Sequence, residues 1–293
     1  MIVARTRTSL HEARARLPEP VGVVPTMGAL HRGHFALLRA ARRRERSVVA
    51  TLFVNQTQFN DPSDYDAYPR DEAADLAAFK ASGVDLVFAP STDEMYPAGF
   101  GTRIDPGPIG ADLEGARRPG HFAGVATVVA KLFNLTRPTR AYLGQKDWQQ
   151  TRVIDRMVKD LNLPVDLVIV PTVRDPDGLA LSSRNVRLTP DQRQAALSLW
   201  RGLSLARDAW DDDERSPTAL ADLLKSMVQA EPLAELGYAE VRHALTLEPV
   251  TAADPPLVIA VAAEIGGVGL IDNVVLGEGL VGEAEVIDLP SAK

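Results

Sequence analysis

The chain has no cysteine, which excludes disulfides, thiolate nucleophiles and cysteine-ligated zinc and suits an intracellular protein. No window is long and apolar enough to span a bilayer. The start, Met1-Ile2-Val3-Ala4-Arg5, lacks the apolar stretch of a signal peptide. A soluble, cytoplasmic protein without a membrane partner is expected. Internal repeats are missing too, and no serine–histidine arrangement suggests a covalent nucleophile. The basic excess is too small and too dispersed for nucleic acid: residues 1–174 carry 23 Lys and Arg against 19 Asp and Glu, and residues 175–293 carry 9 against 20. The acidic run Asp211-Asp212-Asp213-Glu214 reads as solvated surface.

What is present is enough for a large core. Of 293 residues, 45% are hydrophobic, and the length favours one large domain plus a smaller one. Apolar strand-like runs at Val21–Pro25, Val48–Val54, Val84–Phe88, Ala141–Leu143 and Val165–Val170 alternate with helical patterns at Phe35–Arg46, Asp71–Ser82, Val125–Leu135 and Gln149–Leu161. This βαβ rhythm predicts an α/β fold, a Rossmann-like doubly wound parallel sheet over residues 1–174. The turn cluster Arg174-Asp175-Pro176-Asp177-Gly178 marks the boundary. Residues 175–293 then read as a smaller C-terminal α+β domain. Its helices lie near 192–210 and 217–229, the first capped by Thr189 with Pro190 in its first turn. Its strands lie near 238–244, 257–263 and 270–276. Pro97–Gly110 reads as a long loop of the kind used as a lid or clamp.

The most informative stretch is Val24-Pro25-Thr26-Met27-Gly28-Ala29-Leu30-His31-Arg32-Gly33-His34. Here a strand turns into a helix, where unpaired N–H groups and the positive end of the helix dipole favour an anion. Gly28 and Gly33 permit close backbone approach, and His31 and His34 are placed to donate to phosphate oxygens or to stabilise developing negative charge. Taken alone, His-x-Gly-His is equally compatible with an exposed polar turn.

Four further segments follow strands or occupy the boundary turn. Asn55 and Gln58 carry amides suited to a hydroxylated, carboxylated substrate. Arg118 and His121 lie in a basic turn ahead of a helix, and the arginine fork suits phosphate. Gly144-Gln145-Lys146-Asp147 opens a helix, with Lys146 available to phosphates and Asp147 to capping or a ligand hydroxyl. Leu181-Ser182-Ser183-Arg184-Asn185 combines two hydroxyls with a guanidinium. Each has an ordinary turn or surface reading by itself, but strand ends in a doubly wound sheet deliver their loops to one crevice.

Together these segments resemble the pantoate–β-alanine ligase (pantothenate synthetase) family of the nucleotidylyltransferase-like superfamily. The matching residues are Pro25-Thr26-Met27-Gly28-Ala29-Leu30-His31-x-Gly33-His34, Phe53-Val54-Asn55-x-x-Gln58-Phe59, Leu113-Glu114-Gly115, Arg118-Pro119-Gly120-His121-Phe122, Gly144-x-Lys146-Asp147-x-Gln149-Gln150 and Asp177–Asn185. His-x-Gly-His alone indicates only the superfamily; the whole set is specific to the ligase.

The resemblance implies condensation of (R)-pantoate with β-alanine through pantoyl adenylate, with ATP cleaved to AMP and pyrophosphate. It implies catalytic roles for His34, His31 and Lys146. ATP would be bound by Met27, Gly28, Ala29, Leu30, His31, Arg32, Gly33, His34, Gly144, Gln145, Lys146, Asp147, Val173, Leu181, Ser182, Ser183 and Arg184. Pantoate and β-alanine would be held by Gln58, Gln150 and Asn55, with Arg118 and His121 near the entrance. Mg²⁺ is expected on the triphosphate, its direct protein ligands unknown; Asp75 is a candidate contributor there, with a place on a solvated helix face the favoured reading. The resemblance further implies a homodimer and a C-terminal domain that acts as a lid over the acyl adenylate. The competing readings are a nucleotidylyltransferase that passes AMP to a phosphate acceptor and stops, and a non-catalytic ATP-binding paralogue.

The chain departs from the family pattern twice. Where the family has Asn-Pro-x-Gln, this chain has Asn55-Gln56-Thr57-Gln58, a loss of backbone restriction worth about 0.4–1 kcal/mol. Gln145 stands where glutamate is commoner, and a small effect is expected because Lys146 is retained.

Overall fold

The computed structural model describes residues 1–277; residues 278–293, included in the C-terminal domain above, lie outside the described residues. Two compact units result.

The first holds six strands: β1 (Ile2–Ala4), β2 (Val21–Thr26), β3 (Ser47–Leu52), β4 (Leu86–Phe88), β5 (Arg140–Gly144) and β6 (Asp166–Val170). They form one sheet in the order β1-β4-β3-β2-β5-β6, every pair parallel. Parallel strands need crossovers, and the helices that make them cover the sheet, so the strand interiors are continuously apolar. Val21, Val23, Val24, Val48, Val49, Leu86, Val87, Phe88 and Tyr142 are all buried. From β2 the chain builds outward through β3 and β4, then returns to β5 on the other side of β2. The topological switch point therefore falls at the carboxyl ends of β2 and β5, where open α/β sheets bind ligands.

The sequence patterns leave out β1, the Arg7–Arg14 helix and the short helices Pro62–Asp66, Thr92–Met95 and Glu114–Arg117. A three-residue edge strand with two exposed positions carries too little periodicity to register.

The second unit holds Gln145–Arg152 and the described residues from Pro171 onward. Strands β7 (Ala234–His243), β8 (Leu257–Ile265) and β9 (Val268–Leu276) form an antiparallel sheet in chain order. The Pro190–Asp211 and Pro217–Gln229 helices pack with it around Leu199, Leu203, Leu220, Leu224, Ile259 and Val261. Thr189 caps the first helix, accepting from the Gln192 N–H, while the Gln192 side chain accepts from the Thr189 N–H. The α+β character agrees with the sequence reading. The compact unit takes in the described residues from Pro171 and the Gln145–Asp147 turn, whose backbone the Asn273 side chain of β9 bonds.

Candidate active site

The loop after β2 is anchored before it turns. Thr26 Oγ1 donates to the Thr51 carbonyl at 2.7 Å and accepts from the Gly28 N–H at 3.3 Å. Gly28 (φ +84°) and Ala29 (φ +51°) then take left-handed conformations. The turn closes on Asp75, from the Glu72–Ala81 helix: Oδ2 accepts the Ala29 N–H at 3.0 Å and Oδ1 the Leu30 N–H at 2.9 Å. Asp75 is 4% exposed, so the expectation of a solvated residue is overturned. Burying a carboxylate costs solvation, and charge-assisted hydrogen bonds from two backbone donors, one to each oxygen, offset that cost. Gly28 is required here twice, by its φ and because a Cβ would lie 2.6 Å from Asp75 Oδ2.

His31 then caps the Arg32–Arg44 helix, a task usually given to Ser, Thr, Asp or Asn. Its Nδ1 accepts the Gly33 N–H at 3.1 Å, and His34 Nδ1 accepts the His31 N–H at 3.2 Å. The ring centroids stand 4.1 Å apart, tilted by 44°. Because each Nδ1 is an acceptor, each neutral imidazole carries its proton on Nε2. The motif thus sets two oriented N–H donors at the positive end of a helix dipole.

The Asn55–Gln58 segment forms a 3₁₀ turn, and Asn55 is saturated. Its Nδ2 donates to Gln58 Oε1 at 3.0 Å and to the Gly124 carbonyl at 3.2 Å. Its Oδ1 accepts Thr57 Oγ1 at 2.9 Å and the Tyr96 hydroxyl at 2.7 Å. Burial pushes the Tyr96 phenol up from its ordinary pKa, which keeps it a donor. Gln58 Nε2 reaches Met27 Sδ at 3.3 Å, joining this turn to the histidine loop. The Gln58 carbonyl accepts His121 Nδ1 at 2.7 Å and Arg118 Nη2 at 3.1 Å, and Arg118 Nη1 lies 3.3 Å from His121 Nε2. Gly124 sits where a Cβ would collide with the Thr57 carbonyl oxygen, so the His121–Thr136 helix packs directly on the turn. Thr57, Tyr96, Arg118 and His121 hold the turn in place.

In the second unit, Gln145–Asp147 forms a single 3₁₀ turn leading into the Trp148–Asp160 helix, and Lys146 Nζ lies 3.8 Å from Asp147 Oδ1. Trp148 Nε1 donates to the Ala244 carbonyl at 2.8 Å. Gln150 is half-buried one turn further on. The Leu181 N–H bonds the Val173 carbonyl at 3.0 Å. Ser182 caps a short 3₁₀ segment that carries Ser183 and Arg184, its Oγ accepting the Arg184 N–H at 3.2 Å. Among the described residues, no group of three or more His, Asp or Glu could hold a metal ion.

Tyr96 and Asn273 were missed by the sequence reading, and Asp75 was misplaced. For Asn273 a signal existed: Asp272-Asn273 interrupts an otherwise apolar strand. For Asp75 the signal was the i, i+4 spacing to Phe79, which shares its buried face.

A parallel sheet whose switch-point loop presents two tautomer-fixed imidazoles at a helix N-terminus defines a doubly wound α/β protein of the nucleotide-binding class. The chain belongs to the pantoate-beta-alanine ligase family, whose model matches residues 2–275. Pantothenate synthetase of Roseiflexus sp. (strain RS-1) is 52% identical over 276 residues, covering 94% of this chain and 99% of the relative. A crystal structure of pantothenate synthetase from Thermus thermophilus superposes with TM-score 0.89 at 47% identity, covering 94% of this chain and 99% of that one. The Francisella tularensis pantoate-beta-alanine ligase, complexed with beta-gamma ATP and beta-alanine, superposes with TM-score 0.77 at 36% identity, covering 94% and 97%.

Proposed function

We propose that this chain joins (R)-pantoate to β-alanine with ATP as the driving reagent, releasing AMP and pyrophosphate. The observation that carries the reading is the pair of imidazoles whose Nδ1 atoms both accept backbone N–H groups, which puts the proton of each ring on Nε2 at a helix N-terminus. In the first step a pantoate carboxylate oxygen attacks the α-phosphorus of ATP; the bond to the bridging oxygen breaks and pyrophosphate leaves. His34, supported by His31, stabilises the negative charge that grows on the phosphate oxygens, and Lys146 does so as a point charge. In the second step the β-alanine amine attacks the acyl carbon, AMP departs with the electron pair, and the amine loses a proton.

Neither step needs a covalent enzyme intermediate, so positioning dominates. Gln58 and Gln150 hold pantoate through neutral hydrogen bonds. Asn55, Arg118 and His121 act through Gln58, the first on its side chain and the others on its carbonyl. Ser182, Ser183 and Arg184 bind phosphates, with Met27–His34, Gly144–Asp147, Val173 and Leu181 completing the ATP contacts. Mg²⁺ arrives as the counterion of the triphosphate, in MgATP. On the family resemblance, the protein is a cytoplasmic homodimer.

The deciding experiment measures AMP release with ATP and pantoate, with and without β-alanine. The reading expects release that depends on pantoate and pantothenate formation that depends on both acids. Equal AMP release with unrelated acids would overturn it in favour of a general nucleotidylyltransferase.

A further inference from the structure

We propose that Asn273 is a positioning residue for ATP, acting through Lys146. The inference rests on the reading of Lys146 as a phosphate-binding residue. Asn273 lies on β9 and is 3% exposed. Its Nδ2 donates to two successive carbonyls, Gln145 at 3.1 Å and Lys146 at 2.8 Å, while its Oδ1 accepts Gln145 Nε2 at 3.4 Å.

The geometric consequence follows from peptide planarity. The Gln145 carbonyl belongs to the peptide plane before the Lys146 Cα, and the Lys146 carbonyl to the plane after it. One amide group that holds both carbonyls fixes φ and ψ of Lys146 together, and so sets the direction in which its side chain leaves the backbone. A lysine has a long flexible stem and no geometric selectivity of its own. Its aim depends on the backbone beneath it.

Asn273 is in turn held from behind. Asp272, 4% exposed, accepts the Asn273 N–H at 2.8 Å through Oδ1 and pairs with Arg174 at 2.5 and 2.9 Å. The Arg174 guanidinium lies 3.8 Å from the centre of the Trp200 ring. Strand β9 pairs along its whole length with β8, setting Asn273 opposite Ala260. A rigid strand position thus carries the only side chain type of this size that offers two protons to two carbonyls and an acceptor to a third group. Aspartate keeps the shape but, ionised, turns acceptors toward acceptors.

The test compares the full-length wild type with Asn273→Ala, Asn273→Asp, Lys146→Ala and the double variant Lys146→Ala/Asn273→Ala, measuring pantothenate formation against ATP and against β-alanine. In Asn273→Ala the KM for ATP is expected to rise about tenfold, the loss of two hydrogen bonds to carbonyls, with KM for β-alanine unchanged; Asn273→Asp should raise it at least as much. In the Lys146→Ala background, removing Asn273 should add little, because the charge it aims is already gone. A full, multiplicative effect in that background would overturn the proposal, as would an unchanged KM for ATP in both single variants. If both single variants melt below the assay temperature, Asn273 is a folding residue and the proposal falls. Failure of the wild type to make pantothenate, or an unaltered Lys146→Ala enzyme, instead refutes the functional reading beneath it.

Discussion

His34 Nδ1 accepts the backbone N–H of His31 at 3.2 Å, so the side chain of one histidine is fixed by the main chain of the other. His31 meanwhile caps the helix through Gly33. The two rings therefore cap the helix reciprocally, His31 by accepting the Gly33 N–H and His34 by accepting the N–H of the capping residue itself.

Replacing His34 by Ala is expected to lower kcat by about 100-fold or more, the range for loss of a transition-state donor, and to cost about 0.5–1 kcal/mol of stability by opening half of the capping box. Replacing His31 should lower turnover and, by removing a cap, also cost about 1 kcal/mol of stability. Steady-state kinetics with denaturant melts of both variants check this; a smaller loss of kcat in His34→Ala than in His31→Ala would contradict the division of labour.

Asp75→Asn keeps the size but sets an amide N–H₂ against one of the two backbone donors, Ala29 or Leu30. A stability loss of about 1–3 kcal/mol is expected, together with a drop in kcat/KM, because the histidine loop loses its tie to the neighbouring helix. A variant with wild-type kinetics and wild-type unfolding midpoint would refute this role.

Gly28→Ala places a Cβ 2.6 Å from Asp75 Oδ2 and 2.8 Å from Leu52 Cδ1, at φ +84°. Turnover and stability should both fall, by at least about 1 kcal/mol in unfolding free energy. The double variant Gly28→Ala/Asp75→Asn should lose less than the sum of the singles, since the two residues meet at one atom.

Asn55→Ala releases Gln58 Oε1, the Gly124 carbonyl, Thr57 and Tyr96 at once. The KM for pantoate is expected to rise about tenfold or more, with KM for ATP little changed. An increase in the ATP value alone would show that this turn serves the nucleotide instead.

Tyr142 provides a pH signature. It is buried, its hydroxyl donates to Glu45 Oε1 at 2.5 Å, and Arg140 pairs with the same carboxylate. Burial first, then the Glu45 hydrogen bond and charge, push the phenol well above its ordinary value of 10.0. The folded state thus holds this proton more tightly than the unfolded chain. The contribution to stability is complete below the unfolded pKa and is lost as pH climbs from there toward the folded pKa. Urea titrations should show a decline in stability above about pH 10 that is shallower in Tyr142→Phe. Identical slopes would contradict the assignment.

Much of the fold was legible in the sequence because it is local. Strands β2 to β6 and the long helices between them announce themselves as apolar runs and 3.6-residue periodicities, and Thr189 and Pro190 mark a helix start with short-range chemistry. The His31-x-Gly33-His34 motif was equally visible, since its strand-to-helix setting is sequential. What sequence could not supply was partnership across distance. Asp75 looks like any acidic residue on a polar helix until the chain returns it to Ala29, 46 positions away. Asn55 looks like a ligand-binding amide until four protein groups occupy it.

The residue types and their spacing determined the chemistry on offer by themselves: two imidazoles, a lysine and paired amides at strand ends. Only the tertiary structure decided which of these groups are turned outward by others. A hydrogen bond needs two partners within about 3 Å, and β9 bonding the Lys146 turn or Asp75 bonding the histidine loop exists only once folding has brought the partners together.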